Sequence, residues 1–186
     1  KTSVLVLGGS GLLGAHCYDV LQNNYNVITT YNSNPLPYNN SIKFNIYYDM
    51  KDLIPLLELY KPAMIINTIA MVTVDGCEAN PKIAHKMNST FVKELVTSIK
   101  KANLQTNHLI HISSDSVYGN RINGNYRPWS ETDPLNPLSV YAKTKAQSEL
   151  EAAKHDGPFS ILRTAFYGIN PFSKKSLLWW IINNAK

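Results

Sequence analysis

The sequence predicts an α/β protein built on a doubly wound parallel sheet, and three observations lead there. Short apolar runs recur along the chain with helical spacing between them. The first run is continuously apolar rather than alternating, as a strand buried on both faces must be. A glycine-rich turn follows that run at once and opens a helix.

Val4-Leu5-Val6-Leu7 is the first strand, and Gly8-Gly9-Ser10-Gly11-Leu12-Leu13-Gly14 is the turn, with helical spacing continuing through Leu21. Glycines at 8, 11 and 14 let the chain turn tightly and let the helix N-terminus approach a pyrophosphate. The free N–H groups and helix dipole there favour an anion. Between a strand and a helix, this Gly-x-x-Gly-x-x-Gly pattern reads as a dinucleotide-binding turn.

Asn26-Val27-Ile28-Thr29-Thr30 is the second strand. An NAD site usually carries a carboxylate near the end of this strand to hold the ribose hydroxyls. Here the chain runs Tyr31-Asn32-Ser33-Asn34, whose hydroxyl and amide groups tolerate a 2′-phosphate and can donate to it. NADPH is the expected cofactor and NADH the alternative, since no Arg is present to clamp the phosphate.

Residues 41–46 form the third strand. From 49 to 60, helical spacing puts Leu53, Leu56, Leu57 and Tyr60 on an inner face, with Pro55 either in the first turn or kinking the helix. Residues 63–67 are the fourth strand. A loop with Asp75, Cys77 and Glu78 leads to Asn80-Pro81, where Asn as cap and Pro at the first position start a helix that runs to about Ala102. His108-Leu109-Ile110-His111-Ile112-Ser113 is the fifth strand, in which His111 reads as a packed strand residue rather than a ligand. Residues 118–137, rich in Gly, Asn and Pro, form a long loop of the kind that commonly carries function. A helix from Val140 to about Lys154 and a sixth strand, Phe159-Ser160-Ile161-Leu162-Arg163, follow.

At 186 residues and 44% hydrophobic, the chain can bury the core of one domain. A net charge of +5, with lysines spread rather than clustered, gives no footprint for nucleic acid and fits anionic small molecules. Cys17 and Cys77 form no disulfide framework and bring no metal-ligand spacing, so a reduced, cytoplasmic setting without a metal is expected. No apolar run reaches the length of a membrane span. The chain begins without Met almost on a strand and stops in Leu177-Leu178-Trp179-Trp180-Ile181-Ile182, so a fragment is expected.

Tyr141 and Lys145 lie four residues apart, on one helical face. An ammonium beside a phenol favours the phenolate, so Lys145 is expected to lower the Tyr141 pKa and make the pair a proton-transfer unit. Taken in order, the glycine turn, Ser113-Ser114-Asp115-Ser116-Val117-Tyr118-Gly119 and Tyr141-x-x-x-Lys145 resemble the extended short-chain dehydrogenase/reductase superfamily.

Within it, the chain is most similar to the dTDP-4-dehydrorhamnose reductases. Val74-Asp75-Gly76-Cys77-Glu78 looks like their Val-Asp-Lys-Ala-Glu stretch, and Asn88 falls where they carry a helix asparagine. Pro128-Trp129-Ser130-Glu131-Thr132-Asp133, Pro137 and Arg163-Thr164 also match their pattern. The chain departs from it at Met71-Val72, at Asn45 where an Asp is usual, and at Ala165-Phe166-Tyr167-Gly168, where a Trp is missing.

The resemblance implies a Rossmann-type domain over residues 1–167 and, over 168–186, the beginning of a small C-terminal substrate-binding region. It implies Ser114, Tyr141 and Lys145 as the catalytic residues. Gly8, Ser10, Gly11, Leu12, Leu13, Gly14, Tyr31, Asn32, Ser33, Asn45, Ile46, Ile69 and Ala70, with Tyr141 and Lys145, would bind the cofactor. The implied reaction is NADPH-dependent reduction of a 4-keto nucleotide sugar, a dTDP-4-keto sugar first, on the way to polysaccharide precursors. No nucleic-acid or membrane partner is implied, and a homodimer fits.

Dehydratases of the superfamily follow the catalytic Ser/Thr with Asp and Glu. Here Asp115 is followed by Ser116, so the base for eliminating water is absent. A nucleotide-sugar epimerase is the nearest rival. The NADP-binding regulatory beta subunit of methionine adenosyltransferase, which also resembles these reductases, is the non-enzymatic alternative.

Overall fold

The computed structural model describes residues 1–104, 107–120, 127–172 and 177–184. Six strands form one parallel sheet in the order β3-β2-β1-β4-β5-β6: β1 (Ser3–Leu7), β2 (Asn26–Tyr31), β3 (Ser41–Lys43), β4 (Met64–Asn67), β5 (His108–Ser113) and β6 (Phe159–Arg163). Order reverses between β1 and β4, so their carboxyl ends part at a switch point where α/β sheets bind ligands. The predicted doubly wound, Rossmann-type sheet is the one observed.

Period-two side-chain alternation divides the core. Leu5, Leu7, Ile28, Ile65 and Leu109 point to one face of the sheet, against α2 (Leu53–Tyr60) and α5 (Phe91–Lys101). Leu53, Leu57, Leu95 and Ile99 fill that layer and are fully buried. Val4, Val6, Val27 and Ile66 point to the other face, against Cys17, Tyr18 and Leu21 of α1 (Leu12–Leu21). Pro55 falls in the first turn of α2, where its missing N–H costs nothing.

Three local expectations are corrected. The third strand is shorter than predicted, because at Asn45 the chain turns and its N–H binds the Asp49 carboxylate at 2.7 Å. The segment read as a loop around Asp75, Cys77 and Glu78 contains a helix, α3 (Val74–Ala79), pinned by the fully buried Cys77. Pro81 does begin α4 (Pro81–His85), yet Asn80 does not cap it; its amide nitrogen turns back to the Gly76 carbonyl, 3.5 Å away.

α4 and α5 are joined by a π-helical turn, Lys86–Thr90. The extra residue of such a turn re-aims side chains, and here Asn88 is carried fully inside. α6 (Val140–Ala152) packs beside it, and α7 (Leu177–Asn184) closes the described chain. Of the predicted loop 118–137, residues 121–126 lie outside the described residues. Among the described residues, no helix is long and apolar enough to cross a membrane.

Candidate active site

The site begins at the turn after β1. Gly8 sits at φ +88°, a conformation that favours glycine, and its N–H donates to the Thr30 hydroxyl at 3.0 Å. Gly11 precedes α1 without any side-chain cap, so N–H groups of its first turn stay available for an anion. Gly14 has a packing role: a Cβ there would stand 2.3 Å from the Gly8 carbonyl oxygen.

A cleft of about 190 Å3 opens at the carboxyl ends of β1, β2 and β4. Of the residues predicted to bind cofactor, Gly8, Ser10, Gly11, Tyr31, Asn32, Asn45, Ile46, Ile69 and Ala70 line it. Ser33 lines an adjoining cleft of about 440 Å3. Leu12 and Leu13 stand half-buried in the first turn of α1 and, with Gly14, do not line either cleft. A glycine cradle beneath uncapped N–H groups, beside an apolar cleft at the switch point, fits a dinucleotide. Ser10 and Gly11 would face its pyrophosphate, and Ile69 and Ala70 its sugar and base.

Ser114 stands just beyond β5 and Tyr141 in the first turn of α6. Two groups fix that turn: the Ser139 hydroxyl accepts from the Ala142 N–H at 3.1 Å, and the Glu78 carboxylate accepts from the Val140 N–H at 2.7 Å. Asn88 ties α6 to the loop after β4, accepting the Met71 N–H (2.7 Å) and donating to the Met71 carbonyl (3.1 Å) and the Thr144 hydroxyl (2.9 Å). Ser139 is the N-cap of α6, a role the sequence reading does not assign it. Glu78 and Asn88 carry no local signal of their task, because their partners lie 62 and up to 56 residues away.

Burial, above all, raises the Tyr141 pKa; the Ser114 hydroxyl pulls it down, while Cys77 and Asp115 push it up. The expectation that Lys145 lowers it is therefore corrected. Lys145 buries its ammonium and donates to the Ile112 carbonyl at 2.6 Å, and that burial lowers its own pKa to about 8 against a partial rise from Glu149. Spacing alone put the two side chains on one face, but the lysine's reach is taken up by the strand end.

His111 is packed in the strand, as expected, and its proton can be assigned. Asn67 Oδ1 accepts the Ile69 N–H (3.1 Å), so its Nδ2 donates to His111 Nδ1 (3.2 Å). His111 Nε2 then donates to Ser148 Oγ (2.8 Å), whose own hydrogen goes to the Lys145 carbonyl (2.6 Å). Burial, then the Lys145 charge, holds the His111 pKa well below the usual range, so it is neutral. Among the described residues no cluster of His, Cys, Asp and Glu could hold a metal.

Lysine burial gives a pH dependence of stability. Below pH 8 the folded protein carries the whole cost of a buried ammonium. Between about 8 and the ordinary 10.5 the folded state has released a proton that the unfolded state keeps, so stability rises with pH. The urea midpoint of the wild type, taken relative to that of Lys145→Met, is expected to be lowest below pH 8 and to climb between pH 8 and 10. A difference that stays flat would contradict it.

Ser114 Oγ accepts the Ser116 N–H and donates to Asp115 Oδ1, both at 3.2 Å, so it also caps the short 3₁₀ turn Asp115–Tyr118. A third cleft, about 720 Å3, is lined by Asp115, Tyr118, Trp129, Glu131, Arg163 and Thr164, with Trp129 stacked on Tyr118 at 5.0 Å.

Comparison with known proteins adds the family. The model of the RmlD substrate binding domain matches residues 2–182. A dTDP-4-dehydrorhamnose reductase of Shigella flexneri is 36% identical over 106 residues, 57% of this chain and 33% of that protein. The methionine adenosyltransferase 2 subunit beta of Danio rerio is 29% identical over 163 residues, 86% of this chain and 46% of that protein. Among solved structures, UDP-glucose 4-epimerase from Brucella ovis in complex with NAD superposes with a TM-score of 0.77 at 24% identity, over 88% of this chain and 51% of that one. The chain thus spans a third to a half of the length of these three proteins.

Proposed function

The chain belongs to the RmlD substrate binding domain family, within the extended short-chain dehydrogenase/reductases, and on that premise we propose that it is the cofactor-binding and catalytic part of an NADPH-dependent reductase of a 4-keto nucleotide sugar. The observation that carries the reading is the placement of Ser114 beside Tyr141, at the carboxyl end of β5, the same end of the sheet at which the glycine cleft opens. Residues 168–186 are read as the start of the substrate-binding region.

Reduced nicotinamide, when bound, supplies the hydride that a carbonyl carbon accepts. Tyr141 protonates the carbonyl oxygen, and its raised pKa suits that task because the phenol keeps its proton at neutral pH. Ser114 turns its hydrogen from Asp115 to the same oxygen and stabilises the charge that develops there. Lys145 has one N–H on the Ile112 carbonyl and two left to donate, which serve the ribose next to the nicotinamide. His111, neutral and held from both ring nitrogens, keeps the helix carrying Lys145 in register with β5.

The test is oxidation of NADPH by the full-length protein over a panel of 4-keto sugar nucleotides. At least one dTDP- or UDP-linked 4-keto sugar is expected to consume NADPH stoichiometrically. Interconversion of sugars with no net consumption would replace the reductase with an epimerase. The likeness to the Danio rerio subunit supports a second, non-catalytic reading, in which the chain binds NADP and serves a partner protein. A stable complex with a synthetase and no turnover on any keto-sugar would favour it. Retention of both Tyr141 and Lys145 weighs for the enzyme.

A further inference from the structure

We infer that Asn170 is a positioning residue for the glycine turn, and that residues 168–172 are a strap coupling that turn to the substrate-binding region, an assignment that rests on the dinucleotide reading above. After β6 the chain runs along the carboxyl ends of the strands and lands on α1 and the turn before it. Three contacts hold it there. Asn170 Nδ2 donates to the Ser10 carbonyl at 3.2 Å, His16 Nε2 donates to the Ile169 carbonyl at 3.3 Å, and the Phe172 ring meets Tyr38 edge-on at 5.5 Å.

The Asn170 amide is oriented by its own turn. The Phe172 N–H donates to Asn170 Oδ1 at 2.8 Å, so Nδ2 is the end left for Ser10. On the other side of the same peptide unit, the Gly11 N–H donates to the Gly8 carbonyl at 2.9 Å. The peptide between Ser10 and Gly11 is thus held at both its oxygen and its nitrogen. That peptide leads into the first turn of α1 and sets where the N–H groups offered to an anion point. Asn170 lines neither cofactor cleft, so it acts through the turn and not on the ligand. Phe172 extends the hold to a second wall. Its partner Tyr38 stacks on Tyr18 of α1 at 3.5 Å and belongs to the loop whose Ser33 and Pro35 line the adjoining cleft.

The strap is lightly attached. Both hydrogen bonds to it are long, and Tyr167 and Ile169 are exposed, so its docking is of the kind that a ligand can shift. Linkage makes the effect mutual: if the docked strap favours the dinucleotide, bound dinucleotide favours the docked strap by the same factor. From the strap the chain goes on to α7, within the part read as the start of the substrate-binding region. Cofactor binding therefore steadies that region before the sugar arrives. One hydrogen bond that orients the turn is worth about fivefold in affinity.

The experiment is hydrogen–deuterium exchange of the full-length protein with and without NADPH, alongside calorimetric titration with NADPH. In the wild type, NADPH is expected to slow exchange at residues 8–14 and also at 168–184. Asn170→Ala should bind NADPH about fivefold more weakly at an unchanged urea midpoint. In that variant NADPH should still protect 8–14 but no longer 168–184, a separation that a merely structural residue would not produce. Exchange at 168–184 that ignores NADPH in the wild type, or that NADPH still slows in Asn170→Ala, overturns the strap alone. So does a lowered urea midpoint, which would make Asn170 a structural residue. Failure of the wild type to bind NADPH overturns the strap together with the dinucleotide reading beneath it.

Discussion

If the proposed reductase reading holds, Tyr141→Phe is expected to bind NADPH as the wild type does and to reduce a keto-sugar about 10²–10⁴-fold more slowly, the usual worth of a positioned general acid. The substitution keeps the ring, and with it the packing of the first turn of α6, so no cavity opens. Caps on that turn come from Ser139 and Glu78, and the Thr144 hydroxyl binds the Tyr141 carbonyl at 2.8 Å; none involves the phenol. What is lost is the proton donor. Neighbouring Cys77 and Asp115 raise the Tyr141 pKa, which keeps the phenol protonated in the wild type. Steady-state NADPH oxidation and cofactor fluorescence titration on the two proteins separate the effects. Undiminished turnover would remove Tyr141 from the chemistry, and loss of cofactor affinity would make its role structural.

The sheet and the glycine turn were legible because their signals are local. Val4 to Leu7 is apolar without interruption, and Gly14 is demanded by close backbone approach of Gly8 and Gly9, six and five residues earlier. The candidate site could be named from the sequence as residue types, Ser114, Tyr141 and Lys145, but its electrostatics could not. Helical spacing brings Lys145 to the face of Tyr141; only the packed structure shows its ammonium on the Ile112 carbonyl. The helix α3 escaped notice because it is short and contains Gly76, and what holds it is the distant burial of Cys77.

Stability should prove most sensitive at Glu149 and Arg163, which no reading of spacing would pair. Arg163, the last residue of β6, places Nη2 2.8 Å from Glu149 Oε2 of α6, with side-chain exposures of 20% and 6%. Glu149 Oε1 also accepts the Ser113 hydroxyl at 2.5 Å, and Arg163 Nη1 donates to the Tyr118 hydroxyl and the Glu131 carbonyl, both at 2.9 Å. The pair thus joins two strand ends, a helix and the loop beside Ser114. Removing one member of such a buried pair strands the other and costs about 3–5 kcal/mol, the lower end here because the arginine reaches solvent. Arg163→Met and Glu149→Gln are each expected to lose about 3 kcal/mol in urea unfolding, while the double variant loses clearly less than the sum, since no charge is left buried alone. Strictly additive losses would mean the two act independently. Because the network lies at the β5–β6 side of the sheet and the glycine cleft at the β1–β2 side, NADPH affinity should survive in folded Arg163→Met while turnover falls as the Tyr118 loop loosens around Ser114.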